Sequence, residues 1–296
     1  MVKLKLEMIK QSELILNSDG SIFHLHLKSE NISNDIILVG DPARVDTISE
    51  HFEKIDFTTQ NREFKTVTGW FNGKKFTVIS TGIGTDNIDI VVSELDALAN
   101  IDLEKREIKQ EKRSLNIIRI GTSGGLQPDL PVNTFVVSKK SIGFDGMLNF
   151  YANREEYCDL PFETAFKQFT IWNSSLPTPY VVDASHKLLS KFDDNQFKQG
   201  VTISAPGFYG PQGRQLRLPL AVPELNQQIE AFRFNDLKIT NFEMESSAIY
   251  GLSKMLGHNA LTICLIIANR VTLTANENYR DEMKKLITIV LNRLTK

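Results

Sequence analysis

Short apolar runs rich in β-branched residues and bounded by turn formers recur along the chain. They lie at Ile36–Val39, Phe76–Ser80, Ile117–Ile120, Thr134–Ser138, Val201–Ser204, Leu237–Thr240 and Leu261–Ile267. Runs of this length predict buried strands. Between some of them the apolar period becomes that of a helix. After Gly84, the residues Ile88, Val91, Val92 and Leu95 share one face at 3.6-residue spacing. After Glu245, Ala248, Ile249, Leu252 and Leu256 do the same, with Gly257 placed as a C-terminal stop. The tail from Arg280 to Leu294 is amphipathic as well. Strands alternating with helices predict an α/β fold whose central sheet, mixed or largely parallel, is flanked by helices. No repeat, low-complexity tract or linker divides the sequence, so residues 1–296 read as one domain. Glu104–Ser114 (EKREIKQEKRS), dense in both signs of charge, predicts a solvated helix or hairpin on the surface.

Composition narrows the function more than the fold. A chain of 296 residues can bury a large core. Net charge is −2, which lacks the concentrated basic face of a nucleic-acid or membrane-surface protein. No apolar run approaches the ~20 residues that cross a bilayer. The N-terminus, MVKLKLEMIKQSE, mixes charges through its apolar residues and has no signal-peptide core. Cys158 and Cys264 form no metal spacing, and the five histidines include no HExxH-like pair. Two isolated thiols suit a reducing, cytoplasmic setting, and no protein metal site is expected.

Four glycine-bearing segments lie at the ends of expected strands: VGDPAR (39–44), STGIGT (80–85), RIGTSGG (119–125) and SAPGFYGPQGR (204–214). Ligands of open α/β sheets bind where strands end. Glycines there let backbone N–H groups approach an anion, and a following helix adds its positive end. STGIGTDN before a helix suits that role, although plain structural turns have the same composition. It is no Walker loop, because no GK[ST] follows, and GxGxxG is incomplete. Arg44 closes one segment and Arg119 opens another, and a guanidinium fork matches phosphate oxygens in shape and charge. Thr122 offers a hydroxyl beside them. In NFEMESSAIYGL (241–252) a strand should run into a helix with Glu243 and Glu245 flanking Met244. Those carboxylates could accept from sugar hydroxyls, with the thioether against the sugar's apolar face, or could cap the helix N-terminus.

GDPAR, STGIG, RIGTSGG and EMESS, in this order and at these separations, resemble the uridine phosphorylase branch of the nucleoside phosphorylase family. The resemblance runs from about Phe23 to about Arg270, most of the chain. It implies one nucleoside phosphorylase-like α/β domain with active sites at a dimer interface, the dimer being the minimal unit, either alone or as the building block of a hexamer. By motif, Gly40, Arg44, Arg119 and Thr122 would hold phosphate, joined by Arg62 (in NREF) from the neighbouring subunit. His24 (in IFHL) would reach the ribose 5′-hydroxyl from that neighbour. Thr122, Glu243, Met244 and Glu245 would line the ribose.

Phe208, Gln212 and Arg214 share the spacing of the family's uracil-reading set. A glutamine amide complements the imide edge of uracil, an arginine can stabilise charge on the departing ring, and an aromatic ring can stack. The resemblance thus implies reversible phosphorolysis of uridine to uracil and ribose 1-phosphate, with Arg119, Arg214 and Glu245 as the catalytic set. Inorganic phosphate is co-substrate and no organic cofactor is implied. Bacterial purine phosphorylases of the family carry an aspartate near LIIANR (265–270), where Ala268, Asn269 and Arg270 stand here. The TDN after STGIG departs from the GPS of many bacterial members, whose intersubunit potassium site corresponds to Glu63 and Ile83, and this argues against carrying the cation over. Alternatives are a phosphorylase of purine or deoxypyrimidine nucleosides and, from another class, a catalytically silent nucleoside-binding protein.

Overall fold

The computed structural model describes residues 8–296, so the first residues of the stretch read above for a signal-peptide core lie outside the described residues. In chain order, β1 (Asp35–Val39) leads into α1 (Pro42–Ser49) and a meander of β2 (Lys54–Asn61), β3 (Phe64–Phe71) and β4 (Lys74–Ser80). Helix α2 (Thr85–Asn100) and a two-stranded hairpin, β5 (Ile101–Asp102) with β6 (Glu107–Ile108), precede β7 (Asn116–Gly125) and β8 (Phe135–Gly143). Then come α3 (Leu160–Phe169), β9 (Tyr180–Asp183), the single turn α4 (His186–Leu189) and β10 (Lys198–Ser204). The chain closes with α5 (Leu225–Ala231), β11 (Arg233–Phe234), β12 (Leu237–Glu243), α6 (Ser246–Met255), β13 (Asn259–Asn269), β14 (Thr274–Ala275) and α7 (Arg280–Leu294).

All seven apolar runs are strands of one mixed sheet ordered β11-β12-β10-β8-β13-β7-β1-β4-β3-β2. The inner strands lack polar alternation because both faces are covered. Ile117 faces the same core as Ile88, Val92 and Leu95 of α2 and Ile249 of α6, whereas Ile118 faces Ile287 and Val290 of α7. Ile36 and Ile37 of β1 divide in the same way. A third core, dominated by Phe162, Phe166, Phe232 and Phe242, fills the β10–β12 end.

Where β7 leaves its parallel partner β1, its last residues Gly124 and Gly125 pair antiparallel with Phe242 and Asn241 of β12. That pairing closes β12-β10-β8-β13-β7 into a ring, from which β1, β4, β3 and β2 extend. The carboxyl ends of β1, β4, β7, β10, β12 and β13 are thereby gathered.

Three expectations are corrected. RIGTSGG is no turn: β7 continues to Gly125, because β13 pairs with it in parallel along its whole length. GDPAR is the start of α1, with Asp41 as N-cap accepting from Ala43 N at 2.9 Å and Pro42 in the first turn. Leu256 caps α6 and is exposed, so the apolar face ends a residue earlier at the half-buried Met255. The charged segment contains the β6 half of the surface hairpin, as its composition predicts. Among the described residues no helix is long and apolar enough to cross a membrane.

Ile118→Ala should cost about 2–5 kcal/mol, as a fully buried side chain leaving a cavity between β7 and α7. Ile55→Ala, at a half-exposed position of edge strand β2, should stay within about 0.5 kcal/mol. Denaturant midpoints of the two variants check this.

Candidate active site

A cavity of about 720 Å³ opens at the gathered strand ends. One end is cationic. Arg119 rises from β7 and is buried, and Arg44 comes from the first turn of α1. The Arg44 guanidinium is lowered in pKa by burial and by Arg119, so two like charges converge there. Gly40 and Thr122 line the same end.

Arg119 fits because residue 121 is a glycine. A Cβ at Gly121 would lie 1.7 Å from Arg119 Nη1, so the guanidinium occupies the space that any side chain would need. From there Nη2 hydrogen-bonds to Glu245 Oε2, and Nη1 stands 3.7 Å from Glu243 Oε2. Burial alone would lower the Arg119 pKa, but Glu245 and then Glu243 more than offset it and hold it above the ordinary value. Its Nε, also buried, has no partner among the described residues.

Glu243, Met244 and Glu245 all line the middle of the cavity, but the two carboxylates are held differently. Glu243 is saturated. Its oxygens accept from the Glu245 and Ser246 N–H groups at 2.9–3.0 Å and from the Ser204 and Ser246 hydroxyls at 2.5 and 2.6 Å. It therefore caps α6 and ties that helix to β10, the capping alternative considered for it. Glu245 Oε1 accepts from Gly84 N at 2.8 Å at the start of α2, which leaves its carboxylate spanning α2 and Arg119. Met244 is half-buried between them.

A further stretch of the wall is built by the loop after β10. Arg214 lies over the Phe208 ring at 3.7 Å, and its Nη1 donates to Phe208 O at 2.5 Å and Gln212 Oε1 at 2.7 Å. Burial, followed by the nearby Arg270, lowers Arg214 to a pKa of about 10, still a cation at neutral pH. Arg270, which the motif reading left without a role, donates from Nη2 to Gln212 O at 2.9 Å and supports the loop from β13. Nearby, the Asn269 amide is fully engaged. Its Nδ2 donates to Gln127 O and Leu130 O, and its Oδ1 accepts from Val271 N and Thr272 N. The wall at this point is Ile267 and Ala268.

Of the residues singled out by sequence, all but two line this cavity. His24 and Arg62 do not, yet they are held together: Asn61 Nδ2 donates to His24 O at 2.8 Å, beside the tight β2–β3 turn where Arg62 has φ +53°. Asn87 of TDN and Ser123 of RIGTSGG, to which the motif reading gave no role, complete parts of the wall. Glu63 and Ile83 reach it too, with Asn87 Nδ2 donating to Glu63 at 3.3 Å. Among the described residues no three His, Cys, Asp or Glu side chains are grouped to hold a metal. Cys264, under Arg119, is fully buried and its thiol is pushed up to about 12 by burial, so it is no nucleophile.

Comparisons with known proteins identify relatives of the chain. The chain is 28% identical over 263 residues to a uridine phosphorylase of Thermococcus kodakarensis, covering 86% of this chain and 79% of that one. It is 26% identical over 282 residues to a DeoD-type purine nucleoside phosphorylase of Listeria monocytogenes, covering 92% and 99%. Among solved structures it is similar to the Trypanosoma brucei nucleoside phosphorylase, a protein described as showing uridine phosphorylase activity. That match has a TM-score of 0.86 and 30% identity, and covers 95% of this chain and 99% of the other. A model of the phosphorylase superfamily matches residues 35–296, and the chain belongs to that superfamily.

Proposed function

We propose that the chain is a uridine phosphorylase, cleaving uridine with inorganic phosphate to uracil and ribose 1-phosphate, reversibly. The observation that carries the reading is the chemistry gathered in one cavity: a pair of guanidiniums, a carboxylate beside a thioether, and an aromatic ring with an amide and a third guanidinium. That set matches the needs of phosphate, ribose and base. Relatives named for uridine and for purine nucleosides resemble the chain to similar degrees, so the base assignment rests on the loop from Phe208 to Arg214 and on the lack of an acid at Ala268 and Asn269.

In this reading Arg44, Arg119, Gly40 and Thr122 hold phosphate below the sugar, and Glu245 accepts from the ribose hydroxyls while Met244 packs against the ring. A phosphate oxygen forms its bond to the anomeric carbon as the bond to N1 of uracil breaks. The electron pair leaves with the base, and Arg214 with Gln212 stabilises the growing negative charge on the ring. The anionic phosphate stabilises the positive charge on the sugar. The protein supplies position and electrostatics, with no covalent intermediate.

His24 and Arg62 belong to the cavity of a second subunit. Neither lines its own cavity, and Asn61, the residue before Arg62, bonds to His24, which supports a homodimer as the working unit. We assign the chain to the cytoplasm, where the free thiols Cys158 and Cys264 remain reduced.

Purified protein should cleave uridine only when phosphate is present and should leave inosine intact, followed by the ultraviolet change from nucleoside to base. Cleavage of inosine in its place would overturn the base assignment and keep the reaction class. Arg214→Ala should lower kcat by ~100–1000-fold, as the loss of one donor aimed at developing charge. Arg44→Ala should mainly raise the KM for phosphate. Mixing Arg62→Ala with Arg214→Ala subunits should restore activity above either alone, because the hybrid dimer has one intact site. A mixture no more active than its components would argue against subunit sharing.

A further inference from the structure

We propose that Glu94 is the positioning residue that sets which nitrogen of His24 is presented to the ribose 5′-hydroxyl. The inference rests on the reading of His24 as a ribose ligand of the neighbouring site. Glu94 lies in the interior of α2, its side chain largely buried. His24 stands in a turn that belongs to no helix or strand, so its backbone N–H groups have no ladder partner.

One carboxylate takes them. Glu94 accepts from His24 N at 3.0 and 3.2 Å and from Leu25 N at 2.8 Å, and the same group meets His24 Nδ1 at 2.6 Å. The backbone bonds fix the carboxylate, and the fixed carboxylate fixes the ring. A carboxylate engaged in this way is an acceptor only, so the proton between them belongs to Nδ1. Nε2 of the neutral ring is then a bare acceptor. The ring cannot turn freely, since Phe23 and Phe64 meet it edge-on with centroids at 4.8 and 6.5 Å. Nε2 is therefore presented ready to accept the proton of a primary hydroxyl. The geometry selects nucleosides that carry a 5′-hydroxyl over those that lack it.

Glu94→Gln tests this. A glutamine whose carbonyl oxygen keeps the Leu25 N–H, in the place of Oε2, turns its amide N–H to Nδ1 in the place of Oε1, which moves the ring proton to Nε2 and removes the acceptor. The readout is kcat/KM for uridine divided by that for 5′-deoxyuridine, in wild type, His24→Ala and Glu94→Gln. Wild type should favour uridine by ~10-fold or more, the worth of one hydrogen bond that otherwise leaves a polar group unpaired. In Glu94→Gln the ratio should collapse to that of His24→Ala through loss on uridine alone, with 5′-deoxyuridine within about twofold of wild type.

If His24→Ala loses the discrimination while Glu94→Gln keeps it, Glu94 does not position the ring and the proposal fails, while the reading of His24 stands. A parallel drop on both substrates would mean a merely structural role and would equally overturn it. If wild type and His24→Ala discriminate alike, the reading of His24 fails first. Wild-type protein gives a check that needs no variant. The ¹⁵N resonances of His24 at alkaline pH should be those of the Nδ1-protonated ring, and the opposite tautomer would refute the assignment.

Discussion

A single buried guanidinium organises this molecule. Arg119 lies inside the ring of strands, bonded to Glu245 and close to Glu243. A charge in that position is tolerable only while its partners remain, since breaking a buried pair from one side typically costs ~3–5 kcal/mol. The partners are not independent side chains. Glu245 is also bonded to the first turn of α2, and Glu243 to the first turn of α6 and to β10. Four elements thus meet around one cation, and the cavity is the space left on its open side.

The same arrangement explains why the site's charges are uneven in what they can do. Glu243 has all of its acceptor capacity spent on α6 and two hydroxyls, so it contributes shape and field. Glu245 is one residue pair further along, in non-helical conformation at the N-cap, and reaches across to α2. Arg119 keeps one buried donor, Nε, outside the pair. Among the described residues Arg44 makes only a long contact to Ile120 O at 3.5 Å, which makes it the less committed of the two guanidiniums. An arriving dianion would therefore engage Arg44 without breaking structure, while Arg119 would share its charge between the anion and Glu245.

The inner strands were legible because burial on both faces leaves only apolar residues, and α2, α6 and α7 because one buried face leaves a 3.6-residue period. The β2–β3 hairpin was not, since β2 (KIDFTTQN) is an exposed edge whose polar side chains carry no burial signal. Helix α1 was hidden by its glycine and proline, which read as a turn although Asp41 and Pro42 are also start signals for a helix. The extension of β7 through GTSGG escaped for the reverse reason. Composition favours a turn there, and pairing with β13 and β12 overrides it. The motifs picked out residues that line one cavity, and what motifs do not encode is division of labour. Nothing local distinguishes the saturated Glu243 from Glu245, or marks Glu94, whose importance arises from a turn 69 and 70 residues earlier in the chain.

The wall formed by the Phe208–Arg214 loop and the end of β13 carries the argument about the leaving group. A purine that departs as a neutral ring needs a proton donor at N7, and a wall made of Ile267 and Ala268 with the Asn269 amide bonded away from it offers none. Uracil is a weaker base and a better anion, so what it needs is positive charge near its carbonyls. In the proposed reaction Arg214 would supply that charge, and three contacts hold it in place: the Phe208 ring below it and the carbonyl oxygens of Phe208 and Gln212 beside it. Arg270 fastens Gln212 from the end of β13, and its like charge adds to burial in lowering the Arg214 pKa. In the proposed reaction negative charge appears on the base only as the glycosidic bond breaks. A fixed cation at this wall is therefore worth more in the transition state than before it, which is where electrostatic preorganisation increases the rate.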